Sequence, residues 1–68
     1  MTQFAAGERG IRLGQLLKVM SFVDTGGAAQ EVLAAGEVRV NGEVETRRGR
    51  QLRSGDTVDY DSERVELT

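Results

Sequence analysis

The sequence predicts an α+β domain: a two-helix helix-loop-helix packed on a small, largely antiparallel β-sheet. Three observations carry that expectation. Leu13, Leu16, Leu17 and Met20 recur at i, i+3, i+4 and i+7, the spacing that lines one face of an α-helix. Beyond Gly36 the period changes to two, with Val38 and Val40, then Val58 and Tyr60, then Val65 and Leu67 each separated by one polar residue. At 68 residues the chain is one domain at most, and a domain of that size buries only about 60% of its unfolded surface, so the core must be small.

Residues 1–10 show no period and are expected as an N-terminal extension, with 11–68 forming the domain. Phe4 serves either as an anchor for the first helix or as a strand residue at a sheet edge. The first helix should run from Arg12 to Met20. Ser21 to Gly27 is rich in turn formers and ends with Asp24 or Thr25 placed to accept N–H groups at the start of a second helix. That helix covers about Gly27 to Ala35; its apolar positions Ala28, Ala29, Val32, Leu33 and Ala35 are mostly small and permit close approach of the first. Gly36 stands where a left-handed C-terminal cap is wanted. Asn41-Gly42 supplies a type I′ turn between Val38–Val40 and Val44, which is a hairpin. Thr46 to Arg53 reads as a loop or edge segment with Leu52 as its apolar anchor. After the turn at Ser54-Gly55-Asp56, a second hairpin forms across Asp61 to Glu63.

The chain has no cysteine and no histidine, which removes disulfides, thiolate and imidazole metal sites and the commonest catalytic nucleophile and base. No enzyme activity, cofactor or metal is expected. No apolar stretch approaches the roughly 20 residues of a membrane span, and no secretory leader is visible, so a cytoplasmic location is expected. The acids at 56, 59, 61 and 63 lack the spacing of an EF-hand loop and read as a solvent-facing hairpin.

Nine basic and eleven acidic residues give a net charge of −2, yet the charges are segregated. Arg47, Arg48, Arg50 and Arg53 fall within seven residues, whereas Asp56, Asp59, Asp61, Glu63 and Glu66 face only Arg64. Because salt confines each charge's reach to about 8 Å, such a patch can hold a polyanion whatever the total. Guanidinium forks match phosphate oxygens in pairs and stack on exposed bases, and Gly49 lets the backbone come close to an RNA strand. The competing reading is a solvated loop paired with Glu43, Glu45 or the acidic hairpin. Thr25-Gly26-Gly27 opens the second helix as a small anion site, or as an ordinary N-cap with a flexible approach. Arg12 and Lys18 on the first helix could extend a basic face beside it.

These motifs in order, Ile11-Arg12-Leu13 with Leu16-Leu17, Thr25-Gly26-Gly27-Ala28-Ala29, Ala35-Gly36-Glu37-Val38-Arg39-Val40-Asn41-Gly42-Glu43 and Gly55-Asp56-Thr57-Val58, resemble the alpha-L RNA-binding motif, the domain named for the fourth protein of the small ribosomal subunit. The resemblance spans about Ile11 to Tyr60 and is greatest to short stand-alone bacterial members. It implies an RNA-facing surface of the two helices and the following loop, with contacts from Arg12, Lys18, Thr25, Gly26, Gly27, Gln30, Arg47, Arg48, Arg50 and Arg53, and Gly49 beside them. It also implies structured RNA, ribosomal or transfer RNA, as the partner, with a ribosome-associated protein complex as a further one. One departure counts: members often carry a Lys or Arg at about Gln30, and here the second helix offers Gln30 and Glu31, which moves the weight onto the arginine loop. The rival reading is a protein-interaction module whose basic loop meets an acidic partner.

Overall fold

The computed structural model describes residues 2–68; Met1, the first residue of the expected extension, lies outside them. The extension supplies a strand, β1 (Thr2–Phe4), so Phe4 takes the sheet-edge role. A short β2 (Ile11–Arg12) leads directly into α1 (Leu13–Val19), and α2 (Gly26–Ala34) follows. Then come β3 (Val38–Val40), β4 (Glu43–Val44), β5 (Gln51–Leu52), β6 (Thr57–Tyr60) and β7 (Glu63–Leu67).

Five strands form one sheet in the order β1-β7-β6-β3-β4, antiparallel except for the parallel β1–β7 pair that matches Thr2 with Val65 and Phe4 with Leu67. The helix pair covers one face. There Leu13, Leu16 and Leu17 of α1 and Ala29 and Leu33 of α2 join Val38, Val40, Val58, Val65 and Leu67 of the sheet, all essentially inaccessible to solvent. Each buried leucine of this set contributes about 1.5–3 kcal/mol of transfer free energy, which is how so short a chain holds together. On the opposite face Arg39, Asp59 and Arg64 stand in line across β3, β6 and β7, and Arg64 Nε donates to Asp59 Oδ1 at 2.6 Å.

Local chemistry sets the element ends. Thr25, in extended conformation, accepts the Ala28 N–H on Oγ1 at 3.0 Å and is the N-cap of α2. Gly36, at φ +75°, ends that helix, and the Gly36 and Glu37 N–H groups donate to Leu33 and Val32. The first hairpin turns through Asn41 and Gly42 at φ +53° and +85°, the left-handed pair that a type I′ turn requires. Asn41 is also a structural hub. Its Oδ1 accepts the Thr57 N–H at 2.9 Å, and its Nδ2 donates to Asp56 Oδ1 at 3.0 Å. Asp56 Oδ2 in turn accepts the Arg53 N–H at 2.9 Å. The Asn41-Gly42 and Gly55-Asp56-Thr57 motifs are therefore two halves of one hydrogen-bonded corner between β3 and β6. Asn41 and Arg53 hold the Asp56 carboxyl below its usual range.

Candidate functional site

The arginine segment is bound to the fold at both ends. Past it, β5 pairs with β2 in a separate antiparallel ribbon, Ile11 opposite Leu52 and Arg12 opposite Gln51. The buried Leu52 is the anchor of this ribbon. Within the loop, the carbonyls of Arg50 and Arg48 accept the Leu13 and Gly14 N–H groups, each at 2.9 Å. Those N–H groups open α1 and would otherwise lack a partner, so the loop backbone caps the helix in place of a side chain.

The four arginines of the segment divide. Glu45, 8% exposed and the only buried charged residue among those described, sits where the loop leaves β4. Its Oε1 accepts the Arg47 backbone N–H at 3.0 Å and Nε at 3.2 Å. Its Oε2 accepts Arg47 Nη2 at 3.1 Å and Arg50 Nη1 at 3.0 Å. These hydrogen bonds, led by those from Arg47, overcome the cost of burial and hold the Glu45 carboxyl far below its usual range. The pairing of loop and acid that competed with phosphate binding is thus realised for Arg47 and Arg50. Arg48 behaves differently: its aliphatic stem lies on Gly14, so closely that a Cβ there would collide with it, and its Nη1 stands 3.5 Å from where a Cβ of Gly26 would be. The guanidinium thus sits over the first turn of α2 with no ion-pair partner among the described residues.

A cleft of about 310 Å³ results, lined by Arg12, Gly14, Gln15, Lys18, Gly26, Arg48 and Gly49. Among the described residues three cations face it and no carboxylate does. The first N–H groups of α2, on Gly26 and Gly27, have no protein partner among the described residues. Of the residues singled out in the sequence, the fold brings Arg12, Lys18, Gly26, Arg48 and Gly49 to this one cleft. Thr25 caps the adjoining helix end and Gly27 follows in its first turn. Gln30 lies exposed a turn further along α2, outside the lining. Arg47 and Arg50 belong to the Glu45 cluster, and the exposed Arg53 lies beyond β5.

Two lining residues escaped the sequence reading. Gly14 carried a usable signal, because a glycine inside an apolar helical pattern marks a close approach. Gln15 carried none beyond its exposed helical position; its Oε1 accepts the Arg12 N–H at 3.4 Å. The three aromatic residues are each half-buried, with Phe22 and Tyr60 in contact at 5.5 Å between ring centres. No cluster of acidic side chains able to hold a metal ion occurs among the described residues, and no helix is long and apolar enough to cross a membrane.

A basic cleft between a helix pair and a loop, braced by a mixed sheet, defines a small α+β domain of the alpha-L type. The S4 domain model matches residues 5–68, and the chain belongs to that family. It is 32% identical over 68 residues to YbcJ of Escherichia coli (strain K12), named "Putative RNA-binding protein", covering 98% of this chain and 97% of that one. It is 45% identical over 51 residues to a Bacillus subtilis (strain 168) protein, "Probable ribosome maturation protein RlbA", covering 75% of this chain and 72% of that one. The solution structure of E. coli YbcJ, described as revealing a motif involved in RNA-binding, superposes with a TM-score of 0.74 at 32% identity, over 100% of this chain and 87% of that one.

Proposed function

We propose that the protein is a non-catalytic RNA-binding module that docks on structured RNA, ribosomal or transfer RNA, in the cytoplasm. The observation that carries this reading is the cleft in which Arg12, Lys18 and Arg48 meet the opening of α2 with no carboxylate in the lining. Arg48 offers a planar fork to phosphate oxygens, Lys18 a mobile point charge, and Gly26 and Gly27 leave N–H groups open to an anion at the positive end of the helix. The name of YbcJ supports RNA as the partner, and RlbA's name supports a role in ribosome maturation. Arg47 and Arg50 act at one remove: with Glu45 they hold the loop in shape, so Arg48 is presented without an ordering cost at binding.

The test is a titration of the protein with transfer RNA and with ribosomal RNA over a series of salt concentrations. Three neutralised phosphates should give log K against log[salt] a slope of about −2 to −3. Lys18→Ala with Arg48→Ala should reduce that slope. A flat salt dependence for both RNAs would overturn the reading and favour a protein partner for the same face.

A further inference from the structure

Beside the basic cleft, across a strip of α1, lies a second, open groove of about 370 Å³ with more apolar side chains and, among the described residues, a single cation, Lys18, in its lining. Its walls are Phe4 of β1, Ala6, Ile11 of β2 and Val19 at the end of α1, and its rim toward the cleft is made by Gln15 and Lys18, which line both depressions. Val19 is 58% exposed, the most open of the large apolar side chains among the described residues. Water gains nothing from meeting that surface, and a single exposed valine would be unremarkable. Here the valine lines an open groove of mixed apolar and polar surface, within the size range of small-molecule pockets, about 300–1,000 Å³, and bordered by the Lys18 ammonium.

We propose that this groove receives an unpaired nucleobase from the RNA strand whose phosphate lies in the cleft, an assignment that rests on the RNA reading above. The argument is continuity and chemistry. Gln15 and Lys18, three residues apart, stand on one face of α1 with about 5–6 Å between their Cβ atoms. Each of them borders both depressions, so the ridge between cleft and groove is a single side chain wide, and one nucleotide can straddle it, phosphate on one side and base on the other. Lys18 can hold its ammonium toward the phosphate while its aliphatic stem borders the groove. Gln15 uses Oε1 for the Arg12 N–H at 3.4 Å, which leaves its Nε2 group, with no acceptor among the described residues, to donate to a ring nitrogen or carbonyl. The apolar walls take the flat faces of the base, as side chains do for bases extruded from a stack. An apolar protein side chain would fill the groove equally but would leave the charged rim and the Gln15 donor unused.

The experiment uses two short RNA hairpins of equal phosphate count, one with a single bulged adenosine and one with an abasic residue in its place. Each is titrated at low salt with affinity and backbone amide shifts read together. The adenosine hairpin should bind about fivefold or more tightly, the contribution of one stacked base. The amides of Ala6, Ile11 and Val19 should move with that hairpin alone, and Val19→Ser should shrink the difference to about twofold or less. Equal affinities with silent groove amides, while those of Gly26 and Gly49 shift, would overturn the base site and leave the cleft reading standing. Silence at both places would overturn both.

Discussion

Arg47 and Arg48 are neighbours in the chain with the same side chain, and the fold gives them opposite electrostatic circumstances. Arg47 remains 73% exposed, yet its guanidinium is bound to Glu45. Among the described residues no carboxylate neutralises Arg48, and it lies on Gly14 above an open helix end that is itself positive. Exposure and availability are therefore different things here. An exposed arginine already neutralised offers a phosphate little, because the newcomer must displace an anion the protein supplies. One held without an anion, beside two further cations, attracts whatever anion comes from outside.

The largest effect should come from the open side. Lys18→Ala together with Arg48→Ala should weaken RNA binding by about a hundred- to ten-thousandfold, from the 1.5–3 kcal/mol that each of the two charged hydrogen bonds is worth, with thermal stability nearly unchanged. Arg47→Ala with Arg50→Ala should do the reverse, lowering Tm while costing less affinity. Equal losses of affinity from the two pairs would erase the distinction between them.

Next in size is the removal of the internal anion. Glu45→Gln should lower stability by about 1–3 kcal/mol, a Tm loss of roughly 5–15 °C for a domain this small, measured by calorimetry. The acid limb of the stability curve sharpens that test. Glu45 and Asp56 both titrate below their usual range in the folded protein. The stability they confer is thus complete above the ordinary carboxylate range and is lost as pH falls below about 5 toward the depressed folded values. Glu45→Gln should flatten that limb relative to the parent.

Smaller effects come from the second hairpin and the sheet's outer face. Asp61 and Ser62 turn at φ +47° and +68° without a glycine, a conformation that costs an L-residue about 1–2 kcal/mol. Ser62→Gly should recover about 0.5–1 kcal/mol, read from the midpoint of urea unfolding. Smallest is Arg64→Ala: its bridge to Asp59 joins side chains 55% and 25% exposed, so the loss should stay below about 1 kcal/mol, and RNA affinity should hold or fall slightly.

How much of the molecule is legible in its sequence follows from how local each signal is. The helix pair, the Thr25 and Gly36 caps and the Asn41-Gly42 hairpin rest on spacings of a few residues and can be read directly from the order of side chains. The Asp61-Ser62 turn is marked by the alternation around it, although its residues disguise its left-handed geometry. The β1–β7 pairing joins residues 63 positions apart, and β2 and β5 are two residues each, too short to carry a period. The loop's docking on α1 therefore has no local mark except Gly14. The site is legible as a set of cations and glycines, but its division is not. Nothing in the order Glu45-Thr46-Arg47-Arg48 says which guanidinium the buried acid takes; that is decided by Leu52 anchoring the loop's far end and by the stem of Arg48 lying on Gly14.

The parallel β1–β7 pair bears on how the molecule assembles. Helix-pair and hairpin contacts close loops of a few residues, whereas joining β1 to β7 closes nearly the whole chain and must meet that entropy before its three residue pairs repay it. The early strand therefore has to wait for the late one, and the sheet edge is sealed last. In a refolding experiment followed by pulsed hydrogen exchange, the Phe4 and Thr68 carbonyls should receive their amide partners, Thr68 and Ala6, after the helices are already protected.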